Sequence, residues 1–574
     1  MPVVEVEDLT VTYRRRREPA LRGVSFSVRE GEFVALLGPL GAGKTTLLYT
    51  MIGIIPHTIP ARVDGKVLVD GKDPREHTVA EMVSSMGLVI DDPSVQVFNL
   101  TVEDDVAFGP LNLGMPEEEI RRNVEYALRV TRLKGLEKRH PKELSGGQQQ
   151  ALALAGVLAM RPKVMALDEP ISMLDPIGKG MVLRAIWDLN REYGITCIIA
   201  ESGSDLEDVL ELADRVIVLS EGRVLADGDP SVAVEGGLLE EIGVGLPQVS
   251  ELFLKLREHF PDLKVPVRLE EAVEMVRELV REGKIRVRPL ERRETAADGG
   301  GREEYVRVRN LHFSYPNGVK ALDGVDLTLR KGELTAIIGQ NGSGKSTLSF
   351  CIVGVYKPSN QDAEVTVGGM DVTKAHVFDV IRKVNYIFQN PDAMLFSKDV
   401  YEEVSFGLRM LEVPREEADR VVGEVLDYLG LSDYKHTLIV DLPRFLRTMV
   451  GLASVLALRP EMVIVDEPTN GLDRRESVVL MKKLRELMSR GMSFVVITHN
   501  MRLVSEFCDR VVVMNRGRVL LDGTPREVFS QREKLEEASL KPPQITQLAQ
   551  ALSDLGFAED TLTVEEFLEQ VEVV

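Results

Sequence analysis

The chain has 574 residues, 44% of them hydrophobic and 28% charged, with a formal net charge of −21. That length allows at least two domains, each with a full hydrophobic core. So acidic a balance argues against a nonspecific grip on nucleic acid, which needs clustered Lys and Arg. The longest apolar run, about ten residues around Met449–Leu458, is too short for a membrane span.

In chain order, the opening "MPVVEVEDLTVTY" lacks the basic-then-apolar layout of a signal peptide, and its alternation predicts an antiparallel strand. The basic run Arg14–Arg17 reads as the solvated tip of a β-hairpin. The apolar run "FVALLG" predicts a strand, and "GPLGAGKTT" (Gly38–Thr46) follows it. Next come the helical stretch "EEEIRRNVEYALRVTRL", the segment "LSGGQ" (Leu144–Gln148), and two more strands, "VMALDE" and "CIIAES". Strands alternating with helices predict an α/β fold, a mostly parallel sheet covered on both faces.

The whole pattern then recurs. "GQNGSGKST" (Gly339–Thr347) repeats the first Gly-rich loop, "MVIVDE" repeats "VMALDE", and the tail "KPPQITQLAQAL" echoes "GLPQVSELFLKL". The period is about 300 residues. The predicted division is a first core over residues 1–230 with an appendage over 231–287, and a second core over 305–525 with an appendage over 526–574. A linker over 288–304, rich in Gly and charge, joins them. Cys197, Cys351 and Cys508 sit in apolar surroundings without CxxC spacing and are expected to be reduced core residues of a cytoplasmic protein.

Both Gly-rich loops fit G-x-x-x-x-G-K-[ST] between a strand and a helix. Gly38, Gly41 and Gly43, like Gly339, Gly342 and Gly344, let backbone N–H groups turn toward phosphates at a helix N-terminus. Asn341 lies in the second loop where Leu40 stands in the first, and Thr46 and Thr347 close the two motifs. Lys44 and Lys345 bring positive charge, and the hydroxyls of Thr45 and Ser346 suit Mg²⁺. Asp168 and Asp466 suit the same ion; Glu169 and Glu467 suit polarisation of an attacking water.

Phosphate loop, "LSGGQ" and Asp-Glu strand, in this order, resemble the ABC ATPase family over nearly the whole chain. The resemblance implies tandem P-loop ATPase domains, each with an antiparallel β subdomain and a helical subdomain, using ATP and Mg²⁺. It implies that Tyr13 and Tyr315 stack on adenine, and that Ser145, Gly146, Gly147 and Gln148 form a signature contacting the nucleotide of a facing half. It also implies that Gln389 senses Mg²⁺ and water, that His499 contacts the γ-phosphate, and that "SMLD" and "NGLD" cross between head-to-tail halves. In this pairing Gln389, Lys345, Glu467 and His499 form the catalytic set.

The departures from the pattern sort by site. Asp91 occupies the glutamine position of the first half, and Glu201 is read as its histidine position. Pro443, Arg444 and Phe445 replace Ser145, Gly146 and Gly147 in the second signature. Head-to-tail pairing would collect all of these in one site, predicted to bind nucleotide without hydrolysing it well. Proline has no N–H to offer a phosphate, and phenylalanine blocks a close backbone approach.

"FQNPDAMLF", "SFGL" and the "PPQITQLA" tail resemble the ATPases of energy-coupling factor (ECF) importers of vitamins or transition metals. That implies a transmembrane coupling protein and a membrane solute-binding component as partners, at the cytoplasmic face of the membrane. Two other readings remain open at this point: the ATPase of a conventional ABC transporter, and a soluble ABC protein acting on ribosomes.

Overall fold

The computed structural model describes residues 2–14, 16–172, 174–203, 205–290 and 302–574. Arg15 of the basic run, Met173 of "SMLD" and positions 291–301 of the predicted linker lie outside them. The chain divides into two units, Met1–Glu278 and Leu279–Val574.

Each unit is built on a six-stranded sheet. In the first, the order is Met86–Val89, Val164–Asp168, Thr196–Glu201, Phe33–Leu37, Arg215–Ser220 and Arg223–Gly228. In the second it is Val384–Ile387, Met462–Asp466, Ser493–Ile497, Leu334–Ile338, Arg510–Asn515 and Arg518–Gly523. The first five strands of each run parallel, and the sixth returns antiparallel at the edge. All five residues of Phe33–Leu37, Val164–Asp168, Leu334–Ile338 and Met462–Asp466 are buried. Helices cover both sheet faces, so these strands carry continuous apolar runs where a half-exposed strand would alternate.

A smaller antiparallel sheet draws strands from both sides of each phosphate loop: Leu21–Arg29, Pro2–Tyr13 and Ala61–Val69 in the first unit. Its counterpart in the second has Lys320–Arg330, Glu304–Ser314, Glu364–Val367 and Met370–Asp371. Between the first two parallel strands the chain inserts three helices. These are Val102–Asn112, Glu117–Val130 and Gly146–Leu158, and again Val400–Met410, Arg415–Leu429 and Arg444–Leu456. The alternation of apolar and polar stretches thus leads to the α/β architecture expected of it.

One pairing has no local signal. Strand Ile285–Val287, which the sequence reading assigns to the first appendage, pairs antiparallel with Val571–Val573 at the end of the chain. Arg288 N–H donates to the Gln570 carbonyl at 2.8 Å and extends the register. Cys197, Cys351 and Cys508 are all buried, which pushes each thiol up to about 12. Among the described residues, no helix is long and apolar enough to cross a membrane.

Candidate functional site: two nucleotide-binding centres

The phosphate loops leave the central strands Phe33–Leu37 and Leu334–Ile338 and enter helices Lys44–Met51 and Lys345–Ile352. Gly43 and Gly344 precede these helices with φ of 106° and 104°. That left-handed backbone suits glycine. A Cβ on Gly38 would stand 2.0 Å from the Leu219 carbonyl oxygen, and one on Gly339 2.2 Å from that of Met514. Gly41 and Gly342 also have positive φ, 78° and 76°. Thus each loop is held tight against the next strand, with its N–H groups gathered at a helix N-terminus.

Both lysines are buried and fold back onto the loop. Lys44 Nζ donates to the Gly38 and Pro39 carbonyls at 2.7 and 3.2 Å, and Lys345 Nζ to those of Gly339 and Gln340 at 2.7 and 2.8 Å. Tyr13 and Tyr315 share hydroxyl hydrogen bonds with Thr46 and Thr347, both at 2.9 Å. Asn341 and Gln389 are exposed, Gln389 two residues beyond strand Val384–Ile387.

A cavity of about 950 Å³ opens on the first loop, lined in part by Tyr13, Lys44, Thr45, Ile59, Pro60 and Glu169. Arg14 and Arg16 line its rim. Arg14, Arg16 and Arg17 are exposed, as expected of a solvated hairpin tip, and the first two also border this cavity.

Four of the residues expected to serve Mg²⁺ lie together in pairs. Thr45 lies beside the buried Asp168 and interacts with it, and Ser346 Oγ donates to Asp466 Oδ2 at 3.0 Å. Burial pushes Asp168 above the ordinary carboxylate range, opposed by the interaction with Thr45 and the charge of Lys44. A hydroxyl and one carboxylate per site are hard oxygen donors that suit Mg²⁺, which otherwise keeps waters and substrate phosphate oxygens. Among the described residues, no cluster of three or more His, Cys, Asp or Glu offers an all-protein metal cage.

The second centre has a donor the sequence reading missed. Tyr386, buried three residues before Gln389, donates its hydroxyl to Asp466 Oδ2, while the first half has Leu88 at the matching strand position. Burial, then the charge of Asp466, pushes the phenol well above its ordinary value. A tyrosine in an apolar strand is inconspicuous in the string; only strand pairing aims it at the carboxylate. Tyr386→Phe is expected to raise the Mg²⁺ concentration needed for half-maximal turnover roughly tenfold, by loosening the hold on a metal ligand. A Mn²⁺ titration followed by electron paramagnetic resonance checks it without catalysis.

The two glutamates sit at the ends of their strands with left-handed backbones, φ 47° at Glu169 and 43° at Glu467. That conformation is uncommon outside glycine and costs energy. Glu467 Oε1 lies 3.2 Å from His499 Nε2, and His499 N–H donates to Glu467 Oε2 at 3.3 Å.

Strand register corrects the histidine position of the first half. Asp466 pairs with Ile497 and Asp168 with Ala200. Glu467 N–H donates to the Ile497 carbonyl, and Glu169 N–H to that of Ala200. Ser202, one residue beyond Glu201, therefore matches His499 and lies beside the Glu169 carboxylate. A one-residue slip turns a side chain to the other face of the sheet, and four apolar letters in a row cannot reveal it.

Glu201 is instead buried in the sheet end, where Oε1 accepts from the N–H groups of Ser202, Gly203 and Asp205 at 3.1, 2.9 and 3.4 Å. Burial, with the charges of Glu169 and Asp205, pushes it up to about 8, and burial also raises Glu169. Because the folded value exceeds the unfolded one, stability is fully present below the unfolded value of 4.5 and falls as pH rises toward about 8. The slope is up to about 1.4 kcal/mol per pH unit. Glu201→Gln, which keeps the acceptor oxygen and cannot ionise, is expected to melt near the unmodified protein at pH 5 and clearly above it at pH 8. Thermal melting at the two pH values is the check.

The signature residues differ in kind. Ser145 caps helix Gly146–Leu158 in a reciprocal box: its Oγ accepts from Gln148 N–H at 3.3 Å, and Gln148 Oε1 accepts from Ser145 N–H at 3.0 Å. A Cβ on Gly147 would stand 2.6 Å from Gly178 Cα. The close approach that this glycine permits is thus to a helix of its own half. In the second half Pro443, without a side-chain acceptor, begins helix Arg444–Leu456, and Phe445 packs against the core.

Fold and site together define a tandem P-loop nucleoside triphosphatase, two phosphate-binding loops each followed by an Asp-Glu strand end. Residues 21–172 and 322–470 match the family described as ABC transporter. The chain belongs to that family. A provisionally named ABC transporter ATP-binding protein of Methanosarcina acetivorans is 37% identical over 97% of this chain and 91% of its own. One of Caldanaerobacter subterraneus is 37% identical over 95% of this chain and 96% of its own. The solved CbiO1 of Clostridium perfringens, described as part of the ABC transporter complex cbiONQ, is 34% identical. It covers 43% of this chain and 99% of its own, at a TM-score of 0.38. The protein is an ATP-binding subunit of an ABC transporter, an ATPase whose hydrolysis is coupled to transport by transmembrane components.

Proposed function

We propose that the protein energises an ECF-type importer through one hydrolytic and one retentive ATP site, formed by head-to-tail pairing of its halves. In the hydrolytic site Lys345, Ser346, Asp466, Gln389, Glu467 and His499 act on ATP and Mg²⁺, completed by Ser145, Gly146, Gly147 and Gln148. In the retentive site Tyr13, Lys44, Thr45, Asp168 and Glu169 hold a nucleotide facing Pro443 and Phe445. The observation that carries this reading is the contrast at the glutamates: an imidazole 3.2 Å from Glu467, a serine beside Glu169. A histidine can orient a base and meet a developing phosphate charge; a serine carries no positive charge and offers neither.

The importer assignment is supported by the segments that follow the glutamine positions. Phe98 and Phe108 pack edge to face at 4.8 Å, Phe396 and Phe406 likewise at 4.7 Å, and Phe98, Phe108 and Phe396 are exposed. Exposed aromatic pairs of this kind suit an apolar helix of a membrane partner. Two tests bear on the proposal. Labelled ATP loaded into the Glu467→Gln protein should leave the first site slowly, and rapid exchange would sink the retentive reading. Co-purification from membranes with a small embedded solute binder is expected; ribosome co-sedimentation in its place would overturn the importer assignment.

A further inference from the structure

Arg444 stands where the first half has the signature glycine Gly146, and its side chain is turned onto a loop of its own half. Arg444 Nε donates to the Asn470 carbonyl at 3.1 Å. The guanidinium also lies across Gly471, whose φ is 67°; a Cβ there would stand 2.8 Å from Nε and 3.0 Å from Cζ. The loop it grips, Asn470–Asp473, begins three residues after Glu467 and is tied to it, since Asn470 N–H donates to the Glu467 carbonyl at 3.2 Å. At its far end Asp473 caps helix Arg474–Ser489, accepting from Glu476 N–H at 2.8 Å.

A continuous path of hydrogen bonds therefore runs from the altered signature helix through this loop to the backbone of Glu467. The left-handed φ of Glu467 must be maintained by what surrounds it. In the first half the matching glycine has no side chain to reach its loop: a Cβ on Gly146 would only touch Leu174 Cδ2 at 3.6 Å.

We infer that Arg444 is a positioning residue that clamps the Asn470–Asp473 loop and thereby sets Glu467, so that the altered signature supports hydrolysis in the other ATP site. This deepens the proposed division into one hydrolytic and one retentive site and rests on it. Guanidinium is suited to the task because it is planar, stays charged, and can donate while lying flat over a glycine. Lysine can supply the charge and one donor, without the flat contact.

The test is steady-state ATP turnover by the full chain carrying Arg444→Ala or Arg444→Lys, with nucleotide binding at the first site measured in parallel using labelled ATP. Arg444→Ala is expected to lower kcat roughly tenfold with KM unchanged, as a misplaced catalytic group does, and to leave first-site binding unaltered. Arg444→Lys should recover part of the loss. Amide hydrogen exchange at Asn470–Leu472 should rise in the alanine variant while the melting temperature stays within a few degrees. Two results would overturn the inference: kcat unaltered in Arg444→Ala, or loss of first-site ATP binding, which would place the guanidinium on a phosphate. Glu467→Gln run alongside separates the two claims. Its retaining turnover defeats the hydrolytic-site assignment whatever Arg444 does.

Discussion

Glu467→Gln should reduce ATP turnover by roughly 100-fold or more, the scale of losing a positioned general base, whereas Glu169→Gln should leave most of it. The two residues end equivalent strands and share a left-handed backbone. Their surroundings differ. Glu467 has His499 Nε2 at 3.2 Å, and its neighbour Asp466 accepts from both Ser346 and Tyr386. Glu169 has Ser202 in place of a histidine and sits near Glu201. Phosphate release assays on both variants, with the membrane partner present, decide the matter: equal damage from Glu169→Gln would show that the first centre also performs or controls hydrolysis.

Gly147→Phe, which gives the first signature the residue found in the second, carries the other large expected effect. Its Cβ would stand 2.6 Å from Gly178 Cα and 3.2 Å from Met181 Cε. Backbone cannot move aside as a side-chain tip can, so helices Gly146–Leu158 and Pro176–Arg191 must part. Overpacking of this kind costs about 1–3 kcal/mol, and the signature backbone shifts with the helix. Turnover should fall to near background and the melting temperature should drop. Gly146→Arg is the matched control, because its Cβ would find only Leu174 Cδ2, at 3.6 Å. That variant should keep its melting temperature. Should Gly147→Phe melt and turn over normally, the close helix contact would not be what makes this position a glycine. In the second half the position that corresponds to Gly178 is Glu476, third in its helix as Gly178 is in the first. Both glycine positions of the first half are thus occupied by larger residues in the second.

Much of this was legible in the string because its physics is local. A phosphate loop needs its glycines, lysine and hydroxyl within nine consecutive positions, and an Asp-Glu pair needs only the end of one apolar strand. The amino-acid sequence by itself therefore determined the duplication, the α/β class, both phosphate loops, the metal-ligand candidates Thr45, Asp168, Ser346 and Asp466, and the asymmetry between "LSGGQ" and "LPRFL". Tertiary structure decided what depends on register and on distant approach. Ser202, and not Glu201, matches His499 because strand pairing shifts the alignment by one. Tyr386 reaches Asp466, 80 positions away in the chain. Arg14 and Arg16 reach the cavity rim through a hairpin, and Ile285–Val287 finds its partner at the C-terminus. Arg444 turns to Asn470 and Gly471, because a glycine with positive φ leaves a shallow seat for a flat cation. A string records which groups are present; only the folded chain sets which of them come within hydrogen-bonding distance.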